Sequence, residues 1–499
     1  MSSVSQRKLA LDTVTAMGVQ LFAFVASCFF TFFVPRYISP AEYAAWQLYA
    51  VYYSFISLAS LGIPEGLLLR FGGADGAFCE GSFMRGHFLW VLVTSGSVAL
   101  ALGGAAFFAR GTMRTVPALL APAAVLRCVF NYTADLFRLS GRISRYAKMA
   151  IVDRAAHVLF VALFLATGRT SFVFLAIAEM LGLVLGTMTG ARYVPHAYFG
   201  RIERADRKPP FATIGAGILV VLSAQAAALP VSGSKLFVRY LVGSQVFAAV
   251  SFAFTVAHAI VTFASAAGAA LFPSLKRMSV SELPKAYAPM RLGVTFLCAV
   301  ALFAFLPLAL FLRIWLPDYA ESVKYLAVLF PMSLYTVRQH LLTDVYSKAM
   351  RKEGKLLFLN ALFALVVLPV NFFVLWQWGN VLYLLYFVVA EEAFHAYFTE
   401  GLIGEAAKRS PRDWAELLLP VGFLAGVAAS GIISGAAGGA GGTAGGIVGA
   451  VIYPVAFAAY TVINRKKLAM LFRRAFDALR KGGGEPPDPK GKKRNHPKE

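Results

Sequence analysis

Arg127, Asn131, Asp135 and Arg138 stand in one apolar stretch at spacings of four, four and three, which puts them on one face of a helix. The next stretch opens with Asp153, Arg154 and His157; Asp153 and His157 share a face, and Arg154 is turned about 100° from Asp153. A later stretch carries Arg338, Gln339, His340 and Asp344, and another carries Glu391, Glu392 and His395, with Glu400 near its end. A charge at the centre of a bilayer costs about 2.5–3.5 kcal/mol on insertion scales, so such groups are expected to face water or a partner. Guanidinium groups grip anionic oxygens bidentately and stay charged when partly desolvated. Arg127, Arg154, Arg338 and Arg70 are therefore the expected lining of a hydrated, cationic cavity for an anionic headgroup. Asn131, Gln339, Tyr52 and Tyr53 are its expected polar and aromatic walls. Asp135, Asp153, Asp344, Glu391, Glu392 and His395 are the candidates for ion coupling or gating, because membrane-buried acids and histidines serve proton and cation relays. The competing reading is structural: Arg127–Asp135 and Arg154–Asp153 contacts, snorkelling side chains and interhelical hydrogen bonds. Glu392 and His395 have a metal-motif spacing, but it occurs once, and a di-metal site needs two copies.

These residues sit in elements built for lipid. The 499-residue chain is 59% hydrophobic and 14% charged, with a mean hydropathy of +0.67. A bilayer core needs roughly 20 apolar residues per helix. About fourteen stretches qualify by length and pattern: 14–34, 43–63, 88–109, 116–137, 149–167, 172–190, 211–231, 241–263, 291–311, 323–345, 356–376, 381–403, 414–434 and 443–463. The fold class read from them is all-α, a polytopic integral membrane protein. Lys and Arg collect at alternate joints: Arg70 and Arg85, Arg138 to Lys148, Arg192 to Lys208, Lys276 to Arg291, Lys348 to Lys355, and Lys408 onward. The opposite joints hold only Arg36, Arg110, Arg114, Arg169, Lys235, Arg239 and Arg313. By the positive-inside rule the rich side is cytoplasmic, which places both termini there. The net charge of +22 is then topogenic, and no nucleic-acid partner is expected. The first apolar run reads as a retained anchor rather than a cleaved signal. Cys28, Cys128 and Cys298 fall inside spans and Cys79 in a joint, so neither a disulfide framework nor a metal set emerges.

The short joints leave no room for an extracytoplasmic catalytic domain or an ATPase, and no GxxxxGK[ST], HExxH or GxSxG pattern is present. An enzyme is not expected; a carrier working through its helical bundle is. The second span is crowded with Tyr43, Trp46, Tyr49, Tyr52 and Tyr53, which suits either a wall for sugar rings or an interfacial aromatic belt. Gly62, Pro64 and Gly66 end that span and Pro307 interrupts the ninth, as helices do where they line a cavity or bend. Residues Lys466 to Lys481 form a basic amphipathic helix expected on anionic lipid of the inner leaflet, and Gly482 to Glu499 read as disordered. Tyr43-Ala-Ala-Trp is faintly echoed by Phe247-Ala-Ala-Val, as a two-lobed repeat would produce.

The segment from Val34 to Gly73, with Ser39, Pro40, Glu42, Tyr43, Leu61, Gly62 and Arg70, resembles the opening of O-antigen and polysaccharide flippases. So do Val242 to Phe254, Ala270 to Met278, Leu312 to Phe330 and Ser347 to Lys355. That family is part of the multidrug/oligosaccharidyl-lipid/polysaccharide exporter superfamily. The resemblance implies two six-helix lobes around a central cationic cavity, 1–208 and 209–404, then a helix pair, 405–464, and a basic tail, 465–499. It also implies movement of undecaprenyl-diphosphate-linked oligosaccharide from the cytoplasmic to the outer leaflet of a bacterial inner membrane by alternating access. No cofactor is implied, and a coupling proton or sodium ion is left open. Polysaccharide polymerase or synthase components are candidate partners. The other readings are an ion-coupled drug or cation antiporter of the same superfamily and a non-transporting subunit of a secretion complex.

Overall fold

The computed structural model describes residues 18–72, 81–276, 283–350, 352–402, 411–431 and 440–480. Among these every regular element is helical. Cys79, Arg277, Lys408, Arg409 and the tail from Gly482 lie outside the described residues.

The first helix, α1, runs from Gly18 to Tyr37 with a π-turn at Phe29–Phe33. α2 (Pro40–Ser60) starts where Ser39 Oγ accepts from Glu42 N at 3.3 Å and Pro40 takes the first turn. The Glu42 carboxylate accepts from Phe172 N at 2.6 Å and Ser171 Oγ at 3.0 Å, so one side chain satisfies the start of a distant helix. α2 then bends by 52° into α3 (Ile63–Phe71). The bend sits on Leu61 and Gly62, both left-handed at φ 50° and 71°, a conformation that is strained for Leu61 and free for Gly62. α4 (Ser82–Phe108), α5 (Thr112–Leu139), α6 (Ile143–Ala166) and α7 (Phe172–Ala191) complete the first half.

In the second half, α8 (Phe211–Phe237) continues into a π-turn at Val238–Val242 and is followed by α9 (Ser244–Lys276). α10 (Leu283–Leu302) and α11 (Phe305–Trp315) meet at 42°. That break is one turn before Pro307, whose missing N–H leaves the Phe303 carbonyl without a helical donor. Residues 322–349 form an interrupted helix: α12 (Ser322–Leu329), α13 (Met332–Arg338), a π-turn at Gln339–Thr343 and α14 (Asp344–Ala349). α15 (Glu353–Trp378), α16 (Val381–Glu400), a 3₁₀ segment at Pro411–Leu417, α17 (Leu418–Ala429) and α18 (Ala440–Arg480) follow.

Nine described helices are long and apolar enough to cross a membrane, and the two bent pairs raise this to eleven. The expected spans near 323–345, 414–434 and 443–463 correspond to the interrupted α12–α14, the short α17 and the long α18, so a count of fourteen is not established. The amphipathic segment is not a separate helix, as its sequence suggested: it is the end of α18, and Phe472 packs edge-on against Phe296 of α10 at 5.4 Å.

The halves touch at both ends of the bundle. At the end rich in Arg and Lys, α3 lies backbone to backbone on α8. A Cβ on Gly217 would fall 1.9 Å from Gly62 O, and one on Gly66 would fall 2.0 Å from Thr213 O. Small residues at i and i+4 on each partner permit this approach, which side chains elsewhere forbid. Arg70 Nη1 donates to Thr213 Oγ1 at 3.0 Å beside it. At the opposite end Trp315 Nε1 donates to Phe32 O at 2.8 Å, and Arg36 Nη1 donates to Trp315 O at 3.0 Å.

Candidate functional site

The membrane-embedded charges fall into three groups. The first lies within the N-terminal half, around Glu179 of α7. Arg127 of α5, Arg154 and Asp153 of α6 and the hydroxyls of Tyr49 and Tyr53 of α2 all stand in its field. Trp46, Tyr49 and Tyr53 form a stacked ladder up α2, with ring centroids 5.4 and 5.5 Å apart. The Arg127 guanidinium lies 5.9 Å from the Tyr53 ring and 5.6 Å from the Phe130 ring. Among the described residues Arg127 makes no ion pair, and Arg154 stands 3.8 Å from Asp153 with its side chain 41% exposed. The spacing-based expectation that Arg127, Arg154, Asp153 and Tyr53 converge is met in this cluster. Asn131 is half-buried one turn along α5.

The second group lines a cavity of about 380 Å³ within the C-terminal half, between α8, α9, the α13–α14 junction and α16. The π-turn at Gln339–Thr343 turns Gln339, His340 and Asp344 toward it. Gln339 Nε2 donates to Asp344 Oδ1 at 3.2 Å, and His340 Nδ1 lies 3.1 Å from Asp344 Oδ2. Thr399 Oγ1 donates to Gln339 Oε1 at 2.7 Å, which holds the amide in register with α16. His395 Nε2 lies 2.9 Å from Asn360 Oδ1. Because Asn360 spends its amide hydrogens on Ser223, its oxygen accepts, so His395 Nε2 carries the hydrogen. Lys235 also lines this cavity, with Nζ 5.1 Å from the Phe254 ring and no ion pair among the described residues. Glu392 faces the same space.

The third group is a chain of ion pairs that locks its members together. Arg338, 1% exposed, binds Glu400 and stands 3.3 Å from Glu416. Arg291 lies 3.9 Å from Glu400 and 3.2 Å from Asp413, and Lys467 lies 2.7 Å from Asp413. Arg338 is thus committed to carboxylates and does not line an open cavity as its position in the sequence suggested. Its partners come from α16 and the segment before α17, which a reading along one helix cannot supply.

Four other expected site residues lie elsewhere. Arg70 is the latch to Thr213 already described. Tyr52 turns away from Tyr53 and bonds Tyr240 Oη at 2.8 Å, beside an apolar crevice. Asp135 is bound by Arg138 at 2.8 Å near the end of α5 rather than by Arg127. Glu391 faces the opposite side of α16 from Glu392, where Asn371 Nδ2 donates to it at 2.9 Å.

Sequence reasoning passed over three residues that the structure puts in the clusters. Glu179 is the one acid of a very apolar stretch, and the rule that intramembrane acids are functional flags it. Lys235 read as a loop residue because the apolar run was ended near 231; α8 continues to Phe237 and carries it inside. His258 lines the second cavity from α9.

Two helical halves joined at both ends, each with an embedded polar cluster, define a transporter-type fold. No known family's sequence profile matches the chain, and no curated protein matches it. Solved structures do. One neighbour is described as the inward-facing conformation of a multidrug resistance MATE family transporter of the MOP superfamily. It aligns with a TM-score of 0.56 at 14% identity, over 80% of this chain and 99% of that one. A second, MATE in the straight conformation, aligns at 0.54 and 16% identity over 80% and 96%. A third, MATE in complex with MaL6, aligns at 0.53 and 14% over 81% and 96%. The fold is therefore that of MATE transporters of the MOP superfamily. Those neighbours are matched almost whole and leave about a fifth of this chain over.

Proposed function

We propose that the chain is a membrane transporter that works by alternating access and moves an undecaprenyl-diphosphate-linked oligosaccharide between leaflets. The observation that carries the anionic substrate is one embedded cation in each half, Arg127 and Lys235, that stands over an aromatic ring with no ion pair among the described residues. A buried cation without a counter-ion is costly, and a diphosphate supplies two negative charges to neutralise one from each half. The stacked Trp46–Tyr49–Tyr53 ladder beside Arg127 offers ring faces to the first sugars. Lipid analysis after gene deletion tests the reading: one undecaprenyl-linked oligosaccharide should accumulate on the cytoplasmic leaflet. Unchanged lipid-linked pools would overturn it.

A second reading has its own support. Glu179, Asp153, Asp344 and Glu392 place acids in both clusters, which suits an ion-coupled exporter of cationic compounds, as does the MATE fold. Extrusion of a cationic dye by proteoliposomes under a proton or sodium gradient, with no effect on lipid-linked oligosaccharide, would favour it.

A further inference from the structure

At the Arg- and Lys-rich end of the second half, a cavity of about 200 Å³ opens between α10, the Pro411–Leu417 segment and α18. It shares no lining residue with the Lys235 cavity. One wall is apolar, with Leu292, Met470 and Leu471; the other carries Arg291, Asp413, Asn464 and Lys467. Two buried atoms on the polar wall have no hydrogen-bond partner. One is the donor Nη1 of Arg291, which stands 3.9 Å from Glu400, and the other is the acceptor Oδ1 of Asn464. Arg291 is 5% exposed and Asn464 is 2% exposed. Buried polar atoms are seldom left unmade, and the missing partner here must both accept and donate.

We propose that this cavity binds the headgroup of a phospholipid that bears a primary ammonium group. The phosphate accepts from Arg291 Nη1 and neighbours Lys467, the ammonium donates to Asn464 Oδ1 beside Asp413, and the acyl chains run along Leu292 and Met470. A headgroup with only negative charge would meet Asp413 and Glu416 with nothing to offer them. A choline headgroup carries its positive charge without a hydrogen to donate. Arg291 and Asp413 also belong to the ion-pair chain that ends on Arg338. The bound lipid would therefore brace α17 and α18 against α13.

The test is thermal unfolding of the full chain in mild detergent with added phosphatidylethanolamine, phosphatidylcholine or phosphatidylglycerol, with native mass spectrometry to count retained lipid. Phosphatidylethanolamine should raise the melting temperature and stay bound, at concentrations at least tenfold below those needed of the other two. Asn464→Leu should weaken that response at least tenfold while leaving the lipid-free melting temperature near the parent's. Lys467→Gln, at a half-exposed position, should weaken it in the same direction and decides the matter if Asn464→Leu does not fold. Equal stabilisation by all three lipids, or a parental response in the variants that fold, overturns the proposal.

Discussion

Replacing Arg338 with alanine should damage folding before it damages binding. Its guanidinium is 1% exposed and holds two carboxylates, Glu400 at 2% and Glu416 at 5% side-chain exposure. Removing it leaves Glu416 without that cation and Glu400 with only Arg291 at 3.9 Å. Breaking a buried pair from one side costs about 3–5 kcal/mol, because the remaining charge is stranded away from water. Arg127 makes a useful comparison. It loses no ion pair on truncation, only contacts with the Tyr53 and Phe130 rings, worth about 0.5–2 kcal/mol. Thermal unfolding of both variants in the same detergent should therefore show Arg338→Ala strongly destabilised and Arg127→Ala close to the parent. Combining Arg338→Met with Glu400→Gln and Glu416→Gln removes the stranded charges and should restore most of the loss. If Arg338→Ala melts with the parent yet fails to transport, the ion-pair chain is not what that arginine is for, and it returns to the substrate path.

Arg127→Gln and Lys235→Gln should each abolish transport in proteoliposomes at parental folded yield, because each takes away the one cation its half offers. Transport within a factor of two of the parent would remove the anionic-substrate argument. Gly217→Val should stop the cycle by forcing α3 from α8, since even a Cβ there falls 1.9 Å from Gly62 O. A cysteine at position 70 should then label from the Arg- and Lys-rich side at least tenfold faster than in the parent background, and unchanged labelling would contradict the contact. Glu392→Gln, which alters a group facing the Lys235 cavity, should change the dependence of transport on an ion gradient more than Glu391→Gln. Identical gradient dependence in both variants and the parent would argue against a coupling role.

Much of the architecture is legible along the chain because a bilayer allows few solutions. Backbone groups in lipid must bond internally, so apolar runs of the right length become helices. The breaks were legible too: Gly62 marks the α2–α3 bend, and Pro307 marks the α10–α11 break one turn before it. Within one helix or between neighbouring ones, spacing located the Arg127–Asp153–Arg154 cluster. It failed where partners arrive from far away. Asp135 satisfies Arg138 three residues on, whereas Arg338 finds Glu400 sixty-two residues away. Adjacent residues also part company: Tyr52 and Tyr53, or Glu391 and Glu392, are turned about 100° apart on a helix and face different surroundings.

What the amino-acid sequence determined by itself was the solvent: a chain this apolar, with its charges gathered at alternate joints, must be a bundle of helices in lipid. Which charges stay open to a ligand was decided only by the tertiary structure. An arginine in a helix is equally at home in a hydrated cavity or against a carboxylate. The choice depends on whether another helix brings an acid within about 4 Å, and packing between distant segments alone sets that distance. Arg127 and Lys235 met aromatic rings and remained available; Arg338 met Glu400 and Glu416 and became part of the frame.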